Sequence, residues 1–222
     1  MVVEERLGRS TDRVKGEHGR PPTGFRGMVP RPLVYPSAMP DALVVSGVAG
    51  GGKSTFAIAL AGHLGAAVLD LDATYSAVLP LLRPDIDPAE RRTALYEGLR
   101  DAAGPSLAAG TPVLLVAPWT TERRDPVAWA ALAAALASTG GTARLLWVCL
   151  DPVTVLRRLR DRRLDRDAAK LAAPELWIEQ ARPDEPPVVE HVRIDGARPV
   201  AAEARRVARL LRPSGGHDVS GG

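Results

Sequence analysis

A nine-residue segment near position 50 restricts the fold of this chain more than any other feature. Its sequence is Gly47-Val48-Ala49-Gly50-Gly51-Gly52-Lys53-Ser54-Thr55, which matches in full the Walker A pattern of a phosphate-binding loop. The segment follows a short apolar run at 42–45 and precedes a stretch of helical character at 54–64. Because such a loop connects a buried strand to a helix, the segment predicts a strand–loop–helix unit of an α/β fold.

Each residue type in this loop has a physical role. Glycines let successive backbone N–H groups turn towards phosphate oxygens, and the helix that follows adds the positive end of its dipole. Lys53 is expected to bridge the β- and γ-phosphates of ATP and to act in catalysis, and Ser54 is expected to bind Mg²⁺. Lys53 is one of only three lysines in an arginine-rich chain, which favours a specific role for it. The alternative is a glycine-rich turn before an ordinary helix.

Apolar runs and helical stretches alternate through the rest of the chain. Further strands are expected at about 66–71, 112–117, 143–150 and 191–194, and the last helix at about 200–211. The runs are almost continuously apolar, which is typical of parallel strands that are buried on both faces. The predicted class is therefore a three-layer α/β domain.

The two ends of the chain differ from this pattern. Residues 1–40 combine scattered charges with prolines and show no periodicity, and residues 213–222 are rich in glycine and serine. We expect both to be flexible tails around one domain at 41–212. A partner-binding arm, or translation that starts at Met28 or Met39, is the alternative for the first segment.

Composition excludes several classes of protein. Cys149 is the only cysteine, so an intrachain disulfide is excluded and a structural zinc site is disfavoured. No apolar run approaches the ~20 residues that a membrane span needs. A net charge of +3 gives no strong case for nucleic acid. We expect a cytoplasmic protein, and its richness in arginine and alanine suggests a bacterial source.

Two carboxylates follow the second expected strand, at Asp70 and Asp72. Residues i and i+2 of a strand share a face, and ligands of open α/β sheets bind at the carboxyl ends of strands. We expect Asp70 to help bind the metal ion. Asp72 would be catalytic, because it would hold the acceptor hydroxyl and take its proton. The reverse assignment stays open, and the alternative without catalysis is that Asp72 caps the next helix.

The chain lacks the residues that mark two common classes of nucleotide-binding protein. It has no Asn-Lys-x-Asp sequence to read guanine, and the third strand is followed by Ala117-Pro118-Trp119 rather than by acidic residues. Ras-type GTPases and large motor ATPases are therefore disfavoured, and a small kinase or phosphotransferase remains.

Residues 41–211 resemble the small P-loop kinase group, which includes shikimate and gluconate kinases, chloramphenicol phosphotransferase and zeta toxins. The loop, Asp72 and a later arginine-rich stretch carry the resemblance. It implies that Asp72 contacts the phosphoryl acceptor. The third strand lacks the glycine cluster of shikimate kinase, which argues against shikimate as the substrate. We predict a P-loop NTPase fold with five parallel strands in the order 2-3-1-4-5.

The arginine-rich stretch at 156–167 holds six arginines and three aspartates and is predicted to be one helix. Arg158, Arg162 and Arg166 would form one stripe along it, and guanidinium groups bind phosphate well. Arg158 and Arg166 are expected to bind the nucleotide, and Arg162 and Arg163 to be catalytic. The resemblance implies a lid at about 157–180, with a shared pattern at Arg163, Arg166, Asp167 and Lys170. A solvated helix with pairs such as Arg163–Asp167 is the alternative.

These observations favour an ATP-dependent kinase, as a monomer or homodimer, that transfers the γ-phosphoryl group of ATP·Mg to a hydroxyl of a small molecule. Trp119 and Trp129 would line the acceptor pocket or pack in the core, and Arg123 and Arg124 would bind an anionic acceptor or lie exposed. The alternative function is a regulatory or chaperone-like ATPase that acts on a protein partner. A structural module that binds no nucleotide is a third possibility, which requires the loop to be accidental.

Overall fold

The computed structural model describes residues 39–76 and 85–211. The expected tails lie outside the described residues, except for Met39 and Pro40. Within the described ranges, no helix is long and apolar enough to cross a membrane.

Five strands of the described residues form one sheet. They are β1 (Asp41–Ser46), β2 (Ala67–Asp70), β3 (Val113–Val116), β4 (Thr142–Cys149) and β5 (His191–Asp195). The strand order is β2-β3-β1-β4-β5, and every pairing is parallel. The predicted order and class are therefore confirmed. Because all strands run the same way, their carboxyl ends meet at one edge of the sheet.

Eight α-helices surround the sheet in the described part of the chain. They are α1 (Lys53–Leu64), α2 (Leu71–Tyr75), α3 (Pro88–Ala108), α4 (Pro126–Ser138), α5 (Pro152–Arg162), α6 (Ala168–Ala172), α7 (Pro174–Ala181) and α8 (Val200–Leu211). Three of them begin with an Asp-Pro pair, in which the aspartate accepts hydrogen bonds from the first free N–H groups of the helix. The capping residues are Asp87, Asp125 and Asp151.

The core lies on both faces of the sheet. Leu43 and Val45 of β1 point to one face and pack with α1 and α8. Ala42 and Val44 point to the other face and pack with α3 and α4. Neighbouring strand residues are thus buried on opposite sides, which is why the strand sequences are continuously apolar.

The arginine-rich stretch is not one helix, so that prediction is wrong. Helix α5 ends at Arg162, and Arg163 has a left-handed backbone with φ of 48°. A 3₁₀ turn at Asp165–Asp167 and the short helix α6 follow. The turn brings Asp167, which is completely buried, into an ion pair with Arg162. In a straight helix, residues five positions apart lie on different faces, so this pair would not form.

Candidate active site

The phosphate-binding loop lies between β1 and α1, as predicted. Gly47, Gly50 and Gly52 have φ of 143°, 78° and 95°, values that other residues rarely adopt. A Cβ atom on Gly47 would lie 2.7 Å from the carbonyl oxygen of Val148. Gly52 precedes α1, and no side chain of residues 39–76 or 85–211 caps that helix, so its first N–H groups lack a side-chain acceptor within these ranges. This geometry suits an anion.

The Lys53 side chain lies across the loop. Its Nζ donates a hydrogen bond to the carbonyl of Val48, at 3.0 Å. Burial lowers the pKa of Lys53 to about 8, against the opposing attraction of Asp72 and Asp70. The charges of Arg162 and Arg166 lower this pKa further. The ammonium group of Lys53 therefore interacts electrostatically with both the carboxylates and the guanidinium groups of the site.

A cleft of about 630 Å³ opens beside the loop, and Ala49–Thr55 form part of its lining. Gly47 and Val48 lie outside the lining, and Val48 packs with Leu150, Val155 and Leu159. Six cationic side chains line the cleft, namely Lys53, Arg158, Arg162, Arg166, Lys170 and Arg198. Four carboxylates accompany them, namely Asp70, Asp72, Asp195 and Glu203. The excess of cations matches a polyanionic ligand.

Asp70 and Asp72 both line this cleft, as the sequence suggested. Asp70, rather than Asp72, caps the helix that follows: its Oδ1 accepts from the N–H groups of Asp72 and Ala73 at 2.9 and 3.3 Å. Asp72 instead forms an ion pair with Arg166, with 2.8 Å between Oδ2 and Nη1. Asp72, which is expected to hold the acceptor, therefore does not use its carboxylate to cap the helix.

Two oxygen donors in the cleft fit a magnesium ion. Oδ2 of Asp70 is buried and has no hydrogen-bond partner in the described structure, and Ser54 lies in the first turn of α1. Mg²⁺ prefers such hard oxygen ligands and keeps waters and substrate phosphates as the others. Among the described residues, no three His, Cys, Asp or Glu side chains form a metal-binding cluster. The protein would therefore supply only part of the coordination shell.

The arginine segment, residues 157–170, contributes four cationic side chains to the lining of the cleft. Arg158 donates to the backbone carbonyls of Gly51 at 3.4 Å and Gly196 at 2.9 Å, so it ties two loops together. Arg162 and Lys170 both pair with the buried Asp167. Arg163 follows the last residue of α5, is exposed, and is not among the residues that line the cleft. The structure thus brings Arg158, Arg162 and Arg166 to the cleft but not Arg163.

The loop after β5 is a part of the site that the sequence reasoning missed. Asp195, Gly196 and Arg198 line the cleft, and a Cβ atom on Gly196 would lie 2.9 Å from the carbonyl oxygen of Cys149 and 3.1 Å from that of Gly51. A glycine directly after the carboxyl end of a predicted parallel strand was the available signal.

A second pocket, of about 770 Å³, lies between α3 and the loop after β3. Pro118 borders both this pocket and the cleft. Trp119 is one of the lining residues of this second pocket. It has only 1% of its surface exposed, donates from Nε1 to the carbonyl of Leu115 at 3.0 Å, and contacts Tyr96 edge-on with 4.7 Å between the ring centroids. Trp119 therefore both packs in the core and lines the pocket, whereas Trp129 packs against the core.

Arg123 and Arg124 do not lie in either pocket lining, and the expectation that they are exposed or bind an acceptor is wrong for Arg123. Its side chain is buried and donates to the carbonyls of Ala181, Arg182 and Glu185 at 2.9, 3.2 and 3.0 Å. Arg124 also donates to the carbonyl of Ala181, at 2.9 Å. Both arginines anchor the end of α7.

The strand order and the loop define this protein as a P-loop NTPase by fold. The chain belongs to the AAA domain family, whose model matches residues 43–184. Among curated proteins, none matches the chain.

Solved structures with the same fold include several kinases. An inferred kinase from Chloroflexus aurantiacus j-10-fl has a TM-score of 0.60 at 18% identity and covers 79% of this chain and 98% of its own. A sugar kinase from Janibacter sp. HTCC2649 has a TM-score of 0.54 at 19% identity and covers 78% and 94%. The APS kinase of Mycobacterium tuberculosis, in complex with AMPPNP and APS, has a TM-score of 0.50 at 20% identity and covers 78% and 98%. The fold is that of the small P-loop kinases.

Proposed function

We propose that this protein is an ATP-dependent kinase that transfers the γ-phosphoryl group of ATP·Mg to a hydroxyl of a small molecule. One observation carries the proposal: a phosphate-binding loop with Lys53 shares a cleft with Asp72 and a wall of arginines. The kinases of the same fold, among them a sugar kinase and an APS kinase with AMPPNP, support it.

Binding of the nucleotide would use backbone and side chains together. The N–H groups of the loop and of the first turn of α1 would surround the phosphates, with Lys53 reaching the β- and γ-phosphates. Ser54 and Asp70 would hold Mg²⁺, which supplies charge neutralisation on the phosphates. The loop after β5, around Gly196, would complete the far side of the nucleotide site.

Transfer would need little covalent chemistry from the protein. The acceptor oxygen forms a bond to the γ-phosphorus, the bond from that phosphorus to the bridging oxygen breaks, and ADP leaves. Asp72 would orient the acceptor hydroxyl and take its proton. Arg162 and Arg166 would bind the equatorial oxygens of the transferred group and neutralise charge there.

The acceptor would enter through the second pocket. This pocket adjoins the cleft at Pro118 and is rich in hydrogen-bonding groups, including Arg92, Tyr96 and Glu122. Its volume of about 770 Å³ lies within the range of small-molecule sites. The pocket supports a small polar acceptor rather than a protein surface.

The segment 157–180 is proposed to act as a lid. Arg163 and Arg182, with φ of 48° and 44°, are non-glycine residues in the left-handed region, and they bracket the part of the chain that carries Arg166 and Lys170. Such backbone positions often mark places where a segment changes direction. Closure would bring the arginines onto the phosphates and exclude water.

The test uses γ-labelled ATP with a panel of hydroxylated metabolites and with pooled cell extract. Wild-type protein should label a small molecule, and Lys53→Ala should lower transfer by about 1,000-fold or more, because it removes the cation between the β- and γ-phosphates. Asp72→Asn should lower kcat by about 100-fold and leave the Kd of AMPPNP within about threefold.

Arg160→Ala, an exposed change on α5, is the matched control and should retain full transfer. Near-wild-type transfer by Asp72→Asn would show that the acceptor assignment is wrong. Slow ATP hydrolysis that only a macromolecule stimulates would favour the regulatory ATPase instead.

A further inference from the structure

Asp167 is the one carboxylate of the arginine segment that is completely buried, with 0% of its surface exposed. One oxygen accepts from Nε of Arg162 at 2.5 Å and the other from Nζ of Lys170 at 2.6 Å. Although burial opposes ionisation, these hydrogen bonds hold the pKa of Asp167 below its usual value. A buried ionised carboxylate persists because both of its oxygens are paired with cations.

The two partners differ from Asp167 in where they lie. Their side chains keep 29% and 25% of their surface exposed, and both line the cleft. The arrangement therefore places an anion beneath two cations that face the cleft side by side. Two cations this close would otherwise repel each other and adopt several rotamers, at a cost in side-chain entropy whenever they bind a ligand.

The position of Arg162 and Lys170 along the cleft indicates which phosphate they bind. Arg166, the residue before Asp167, contacts Asp72 at 2.8 Å, at the carboxyl end of β2 where the proposed function puts the acceptor. The phosphate next to the acceptor is the terminal one. Arg158, in contrast, binds the loop around Gly196 on the other side of the sheet centre.

We propose that Asp167 is a positioning residue, which holds the cations of Arg162 and Lys170 together so that they bind the terminal phosphate of a nucleoside triphosphate. This inference rests on the proposed function for the orientation of the nucleotide. It assigns to the site a preference for the triphosphate over the diphosphate, and it traces that preference to a side chain that touches neither.

The experiment measures the Kd of AMPPNP·Mg and of ADP·Mg by calorimetry, because neither needs the acceptor. Asp167→Asn keeps the shape of the side chain but removes its charge and one pairing. It should raise the Kd of AMPPNP by about tenfold or more, as expected for lost charge-assisted contacts, and should change the Kd of ADP by less than about twofold. A purely structural role for Asp167 would weaken both nucleotides alike.

Asp165→Asn is the matched control, because it removes the same charge from an exposed position in the same 3₁₀ turn. It should leave both dissociation constants unchanged. The double variant Asp167→Asn with Arg162→Gln should weaken AMPPNP binding by less than the product of the two single effects, since the two changes share the contact between Arg162 and Asp167.

An unchanged ratio of the two dissociation constants in Asp167→Asn would overturn the assignment while leaving the kinase proposal intact. If circular dichroism shows that Asp167→Asn does not fold, Arg162→Gln and Lys170→Gln decide instead: selective loss of AMPPNP binding supports the assignment, and equal loss of both nucleotides overturns it. Wild-type protein that bound neither nucleotide would overturn the proposed function and this assignment with it.

Discussion

The phosphate-binding loop and the arginine segment line one cleft but are held in shape by different kinds of interaction. The loop depends on backbone geometry, with positive φ at Gly47, Gly50 and Gly52. The arginine segment depends on side chains, above all on the pairs that Asp167 makes beneath it. Addition of a Cβ atom to a loop glycine should therefore disrupt the loop, and removal of a charge should disrupt the arginine segment.

The largest effect is expected at Arg123, which anchors the chain just beyond the arginine segment. Arg123→Ala leaves three backbone carbonyls of the α7 end without their donor. We expect the free energy of unfolding to fall by about 3 kcal/mol, measured by urea denaturation. Arg160→Ala, an exposed arginine on α5, should change it by no more than about 0.5 kcal/mol.

An equal loss of stability in these two variants would mean that the hydrogen bonds of Arg123 do not hold the end of α7, the helix that follows the arginine segment. The contrast between the two regions would then disappear.

A somewhat smaller effect is expected from Gly47→Ala. Its Cβ atom would meet the carbonyl oxygen of Val148 at 2.7 Å, at a φ of 143°. We expect a loss of about 2 kcal/mol in the free energy of unfolding, together with weaker AMPPNP binding. Gly62→Ala, inside α1 with no atom within 4 Å of the added Cβ, should raise stability by about 0.5–1 kcal/mol. Tolerance of Gly47→Ala would contradict a loop that depends on its backbone.

The smallest effect concerns the electrostatic link between the two regions. Lys53 has a pKa of about 8 in the folded protein, below its ordinary value of 10.5. AMPPNP binding should weaken by about fourfold between pH 7 and pH 8.5, because the free protein loses this charge, and proton uptake on binding should appear in calorimetry with two buffers. Lys53→Met should abolish the uptake.

The same pKa shift affects stability in the opposite sense. Between pH 8 and 10.5 the unfolded chain holds the Lys53 proton and the folded chain releases it. The contribution of Lys53 therefore makes the free energy of unfolding rise with pH across this window. Thermal melts of wild type and Lys53→Met over that range would measure it, and a fall attributable to Lys53 would contradict the shift.

The sequence allowed the loop and the strands to be predicted because both are encoded locally, whereas the strand order was predicted together with the resemblance to the small P-loop kinase group. Five apolar runs with flanking helices imply a covered parallel sheet, and the glycines from Gly47 to Gly52 serve one recognised geometry. The expected bounds of the strands agree with the structure to within one or two residues.

The sequence did not reveal how the charged side chains are partnered. Charged residues such as Asp167 and Arg123 are expected at the surface, yet both are buried. The partners of Arg123 are backbone carbonyls that lie far from it in the sequence. Asp167 pairs with Arg162 because α5 ends there, at a position that no glycine or proline marks. The end of α5 at Arg162 escaped prediction for the same reason. The sequence analysis considered Asp72 as an alternative cap of the next helix, whereas the structure shows that Asp70 caps α2.

The end of β3 has a consequence for divalent ions. Ala117 and Pro118 border the cleft there, and they offer no carboxylate to a cation. With Ser54 and a single oxygen of Asp70 on the protein side, this polypeptide would be a weak chelator by itself, since Mg²⁺ sheds its waters reluctantly. Under the proposed function, metal and nucleotide would arrive as one preformed complex, and free magnesium would govern turnover only through the fraction of ATP that carries it.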